Sequence, residues 1–308
     1  TRQPVRRGAV RAPAVNGKSP DARRGHLDAL AIALIVGCCA LWGLNQVVVK
    51  ATMPFVPPLL QAAVRSTLAA ALVFLYARRK GLVLVDAASA RAGAGAGVLF
   101  GLEFCFVFFG LHYTTASRMV VFLYLAPFVV ALGMPFISAA ERPTTIQVAG
   151  LVAAFLALAS AFHEGFASSV PTQWVGDAMA IAAGLFWGLT TLLVRATSLA
   201  RATPERTLFY QLAVSAPVLW AASALAGEPL LPPAPGAAAV ASLIFQAGLV
   251  AFASFLGWFW LLRHYPATRV SSFTFLTPVF GLLFGALLLD REAASRNTRR
   301  FQSRLRAA

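Results

Sequence analysis

Nine apolar runs of about twenty residues, joined by short links, constrain this chain more than any other feature. Their approximate limits are 30–49, 59–77, 92–111, 119–139, 146–162, 178–194, 208–226, 237–262 and 270–289. A bilayer core needs about 20 apolar residues per helix, because every backbone polar group must be satisfied within the segment. Of 308 residues 59% are hydrophobic and only 12% are charged, whereas a soluble domain carries about 25% charge. No soluble core could bury so much apolar surface. The expected fold class is therefore an all-α polytopic membrane protein, with the lipid bilayer as its first partner.

The cations refine this expectation. The net charge of +15 invites a nucleic-acid reading, but the charges lie in tails and short links rather than on an aromatic-studded face, so no nucleic acid is expected. Residues 1–27 form a basic tail. With that tail placed in the cytoplasm, the inner links hold Arg78, Arg79, Lys80 and Arg91, then Arg142, then Arg195, Arg201 and Arg206, then Arg263 and Arg269. The outer links hold only Lys50 and Arg118, as the positive-inside rule requires. The ninth run breaks the rule, because it would send the basic residues 293–308 outside. The three cysteines, Cys38, Cys39 and Cys105, sit inside apolar runs as small packing residues. They imply no disulfide and no metal.

The second half repeats the first. Leu41-Trp42-Gly43-Leu44-Asn45 running to Lys50 returns as Phe186-Trp187-Gly188-Leu189-Thr190 running to Arg195. His112-Tyr113, Arg118, Pro127 and Glu141 return as His264-Tyr265, Arg269, Pro278 and Glu292. Residues 28–163 are expected to form a first unit of five spans and 176–292 a second of four. An odd number of crossings inverts the second unit relative to the first, the plan of secondary transporters.

These residues, with the stretch from Arg65 to Ala71, give the chain its likeness: it resembles the EamA family of the drug/metabolite transporter superfamily from about Asp28 to Glu292. The resemblance implies ten helices, a central site between two repeats and alternating access. It also implies small metabolites such as amino acids or nucleosides as substrates, often moved outward across a bacterial plasma membrane. The chain departs from the family after Glu292, where an Arg/Ala/Ser tail replaces the tenth helix. A frameshift, a trimmed chain or a native short form would each produce this.

Several residues are candidates for function. Arg65 and Glu103 are charges inside apolar runs, and such charges usually face a cavity or a partner. Counting at ~1.5 Å per residue puts them roughly 9 Å and 12 Å below the outer boundary, so they could form an ion pair. They could equally serve coupling, with Glu103 taking a proton or Arg65 attracting an anion. Trp42 and Asn45 share a helix face, as do Trp187 and Thr190; each pair is either helix packing or a cavity wall. Pro127 and Pro278 lie mid-span as expected hinges, since proline frees a carbonyl and kinks the helix. Tyr124 sits three residues before Pro127, and Thr277 just before Pro278. Trp42, Asn45, Glu103, Tyr124, Trp187 and Thr277 are thus the expected substrate wall. Gly93, Gly97 and Gly101 recur every four residues, a spacing that lets another backbone approach. Lys50 and Arg195 are expected as anchors at helix ends or as gate charges.

A transporter of small metabolites fits best. No nucleotide-binding loop appears, so no cofactor is expected and a gradient or exchange would drive transport. The sequence leaves a homodimer open. The alternatives are a decayed, non-transporting membrane protein with a disrupted C-terminus, or a membrane enzyme on a lipid-linked substrate. The latter lacks a catalytic cluster: Glu103 and His112 are about 13 Å apart along one helix.

Overall fold

The computed structural model describes residues 26–110, 113–114, 116–161, 163, 171–230, 235–285 and 287. His112, Glu292 and the basic C-terminal tail, with the expected loss of a tenth helix, lie outside the described residues. The helices are α1 (Ala29–Thr52), α2 (Pro58–Arg79), α3 (Ala87–Gly110), α4 (Ala116–Leu123), α5 (Ala126–Ile137), α6 (Thr145–Ala161), α7 (Gln173–Ala196) and α8 (Pro204–Leu225). They continue as α9 (Ala237–His264), α10 (Ala267–Phe273) and α11 (276–285). Eight candidate spans are at least 18 residues long, counting α4–α5 and α10–α11 as one span each, and α6 has 17. This is an all-α polytopic membrane protein.

Local chemistry sets the helix ends. Asp28 caps α1 by accepting the N–H of Ala31 at 2.9 Å, satisfying a donor with no intrahelical partner. Pro58 and Pro204 open α2 and α8, where the missing N–H costs nothing. Gly81 and Gly227 follow those same two helices with φ of +66° and +72°, the left-handed stop that glycine adopts without strain. Glu228, from the link after α8, accepts the N–H groups of Leu59 and Leu60 at 3.1 and 2.8 Å. A carboxylate on a helix N-terminus is favoured by the helix dipole.

The helices extend beyond the apolar runs. Lys50, Arg91, Arg195, Arg206, Arg263 and Arg269 therefore belong to helices, not to the links expected from the sequence. The correction is greatest at Arg195. Its side chain is 2% exposed and pairs with Glu141, itself 5% exposed, so it is not a snorkelling anchor. An isolated buried cation is costly, and Glu141 at the end of a short 3-10 turn removes that cost. Arg118 likewise lies in α4, paired with Asp177 of α7.

The two units are inverted. Leu59 and Thr67 near the start of α2 bond to Glu228 and Trp220 near the end of α8, while Phe74 meets Phe209. These equivalent helices thus run antiparallel. The α3 glycines are where the side chains of α8 come close. A Cβ on Gly93, Gly97 or Gly101 would lie 2.3, 2.5 and 3.0 Å from Tyr210, Val214 and Val218 of α8.

Each repeat's Trp-Gly phrase docks on the broken helix of the other. Pro127 and Pro278 lack the N–H that would bond Leu123 and Thr274, and the helix breaks at 124–125 and again at 274–275. A Cβ on Gly43 would lie 2.8 Å from the Thr277 carbonyl of α11. A Cβ on Gly188 would lie 3.1 Å from the Ala126 carbonyl of α5. One residue turn earlier, the Cys39 thiol donates to Phe273 O at 3.4 Å. Its counterpart Gly184 has no side chain and closes directly on the carbonyls of Phe122 and Leu123.

Candidate functional site

A cavity of about 810 Å³ lies between the repeats, within the size range of small-molecule sites. Its wall on α1 runs from Trp42 to Met53, about 16 Å along the axis. All six expected wall residues line it: Trp42, Asn45, Glu103, Tyr124, Trp187 and Thr277. Arg65 and Pro278 line it too, while Pro127 is buried in α5 beside it.

Aromatic rings hold the floor. Trp42 meets Phe255 and Trp258 edge-on, with centroids 5.9 and 5.5 Å apart. Its indole N–H donates to Ser254 Oγ at 2.8 Å. Tyr124, in the first helix break, meets Trp187 edge-on at 5.6 Å and Phe275 of the second break at 5.7 Å. The duplicated phrase and the duplicated break therefore meet across the cavity. Below Trp42, toward the start of α1, the bundle is filled by Ile35, Leu261, Leu262 and Tyr265. The Tyr265 hydroxyl donates to Asp28 at 2.8 Å. Arg195 pairs with Glu141 and donates to Leu262 O at 2.9 Å, and Glu141 accepts the N–H of Ala267 at 2.8 Å. This end is closed.

The polar wall groups differ in their partners. Thr190, expected in helix packing or a cavity wall, lines the cavity, and its hydroxyl donates to Phe186 O of its own helix at 2.7 Å. Asn45 Oδ1 and Gln211 Nε2 are buried without a hydrogen-bond partner. Thr277 Oγ1 lies near Tyr124 and Cys39 but makes no hydrogen bond of acceptable geometry. Arg65 and Glu103 reach the same cavity, yet among the described residues neither forms an ion pair. The Arg65 guanidinium instead lies 4.3 Å from the centre of the Phe104 ring, and its Nε and Nη2 have no hydrogen-bond partner. Depth could be counted from the sequence, but the rotation of each helix could not.

Other groups at the site gave no sequence signal. Residues 246–254 of α9 form a π-helix, a geometry that concentrates at functional sites. Gln246 at its start donates to Gln61 Oε1 and Ser242 Oγ, both at 3.0 Å. Ser254 at its end receives Trp42, and its carbonyl accepts the Cys38 thiol at 3.4 Å. Away from the cavity, His264 of the repeated His-Tyr landmark keeps its ring against Trp260 and bonds Trp260 O at 2.8 Å. Among the described residues no cluster of His, Cys, Asp or Glu could hold a metal ion.

A polytopic helical bundle, built from two inverted repeats around a shared internal cavity, has the architecture of a membrane carrier. Comparison with known proteins agrees. The EamA-like transporter family model matches residues 29–162 and 174–297. The chain belongs to this family. Two relatives in Bacillus subtilis (strain 168) are the uncharacterized transporters YoaV and YvbV. YoaV is 23% identical over 270 residues, covering 84% of this chain and 88% of the relative. YvbV is 24% identical over 273 residues, covering 85% and 83%. A solved structure described only as the crystal structure of a protein superposes with a TM-score of 0.71. It covers 84% of this chain and 89% of the other at 20% identity, and it shares the fold.

Proposed function

We propose that this membrane transporter carries small metabolites, such as amino acids, nucleosides or related compounds, outward across the bacterial plasma membrane by alternating access. The observation that carries this reading is the cavity itself, walled by equivalent elements of both repeats. A site on the pseudo-twofold can face either side when one repeat rocks against the other. Trp42, Asn45, Glu103, Tyr124, Trp187 and Thr277 form the substrate wall. The breaks before Pro127 and Pro278 are the hinges. The link and helix-end cations support a cytoplasmic N-terminus, and the cavity, which lies toward the end of α1, then faces outward. The test is purified protein in vesicles supplied with labelled amino acids and nucleosides. Accumulation or exchange abolished by Asn45→Ala together with Glu103→Gln is expected. No movement of any such compound would overturn the reading.

A further inference from the structure

The cavity holds two opposite charges that do not touch. Arg65 is 3% exposed and Glu103 8%. Gly101 of α3 packs on Val218, and Trp220 donates to Thr67 of α2 at 3.0 Å, so Glu103 and Arg65 lie at one level. Gln61 donates to Val49 O at 3.4 Å, which brings Asn45 close to that level. A buried guanidinium with two unsatisfied nitrogens is expensive. Among the described residues no carboxylate pairs with it, the face of the Phe104 ring offsets only part of that cost, and Arg65 lines the cavity.

We infer that Arg65 is the docking point for an anionic group of the carried molecule, and that Glu103 takes up a proton as the anion arrives. This rests on the carrier reading above. With the cavity empty, Glu103 is the nearby countercharge of Arg65. An incoming carboxylate takes that role with direct hydrogen bonds to the guanidinium. The layer would then hold two anions and one cation in an apolar wall, and protonating Glu103 restores neutrality. The other charged or titratable groups facing the cavity are Lys50 on α1 and Tyr124 between α4 and α5. Among the described lining residues α7, α8, α9 and α11 supply none. The balance is simple: one anion and one solvent proton enter together, and no bond other than the O–H on Glu103 forms. Aromatic and aliphatic side chains line most of the rest of the wall, so the anion is expected to carry an apolar or aromatic body.

The probe is benzoate, with benzyl alcohol and benzylamine as uncharged and cationic counterparts, added to the purified full chain. Quenching of tryptophan emission reports binding, since Trp42 and Trp187 line the cavity. A pH indicator in weak buffer reports proton uptake. Benzoate is expected to bind saturably and far better than either counterpart. Its affinity should fall by up to about tenfold per pH unit as Glu103 titrates, with about one proton taken up per anion. Glu103→Gln should lose both the pH dependence and the proton uptake. Arg65→Gln should lose benzoate selectivity while eluting as a single species; if it does not fold, Glu103→Gln and the probe series decide. Equal binding of benzyl alcohol, absence of saturable benzoate binding, or pH dependence surviving Glu103→Gln overturns the inference. Vesicle transport of a neutral metabolite, unaffected by benzoate, would remove this inference and keep the carrier. Benzoate binding with no transport of any compound would do the reverse.

Discussion

Replacing Gly43 with alanine tests the docking of each repeat on the other's broken helix. The added Cβ would lie 2.7 Å from Gly281 N and Phe280 Cβ and 2.8 Å from Thr277 O. Two of these three atoms are backbone, so no side-chain rotation relieves the clash. α1 and α11 must part by roughly half an ångström, and overpacking of this kind costs about 1–3 kcal/mol. Gly37, less than two turns earlier on the same helix, is the control, because nothing lies within 4 Å of its Cβ position. Alanine there should be neutral or stabilising by up to about 1 kcal/mol through helix propensity. Thermal unfolding in detergent should therefore separate the two variants by several degrees, with Gly43→Ala lower. Gly188→Ala should behave like Gly43→Ala, since its Cβ would lie 2.5 Å from Val129 Cβ and 3.1 Å from Ala126 O. If Gly43→Ala and Gly37→Ala unfold together, the close contact at Thr277 is not what holds the repeats.

Glu141→Gln should cost about 3–5 kcal/mol in the same melt, because it leaves Arg195 charged in an apolar site. Glu141→Leu with Arg195→Met should recover part of that loss. Asp86, at the start of α3, accepts the Ser89 N–H at 2.8 Å and pairs with Arg206. The Ser89 backbone bond chiefly, with help from Arg206, holds its carboxyl below the ordinary carboxylate range. A depressed folded value means the contribution is present above the unfolded value and is lost as pH falls through the folded one. Hydrogen exchange in residues 81–86 should therefore rise only in acid below the usual Asp range, and Asp86→Asn should remove that pH step.

The spans and the repeat were legible in the sequence because lipid demands long unbroken apolar runs and duplication keeps its landmarks. Trp42 with Trp187, and Pro127 with Pro278, sufficed to draw the wall and the helix breaks. What was hidden is azimuthal or distant in sequence. Arg195 looked like an anchor because Glu141 sits in the other repeat, and only folding brings them together. Arg65 and Glu103 were level by residue count, but helix rotation turned the guanidinium onto Phe104. The π-helix at 246–254 leaves no mark in composition, and so the partnership of Ser254 with Trp42 was invisible.

The central claim is that the cavity is a pathway whose access alternates, and site-directed thiol labelling tests it most directly. Single cysteines at Asn45→Cys and Thr277→Cys would be probed with a membrane-impermeant maleimide from each side of oriented vesicles. The unmodified chain, with its own Cys38, Cys39 and Cys105, sets the background. Both positions should label from outside, and a transported compound should shift part of that reactivity to the inner side. Labelling from neither side, or from one side whatever is added, would contradict the account.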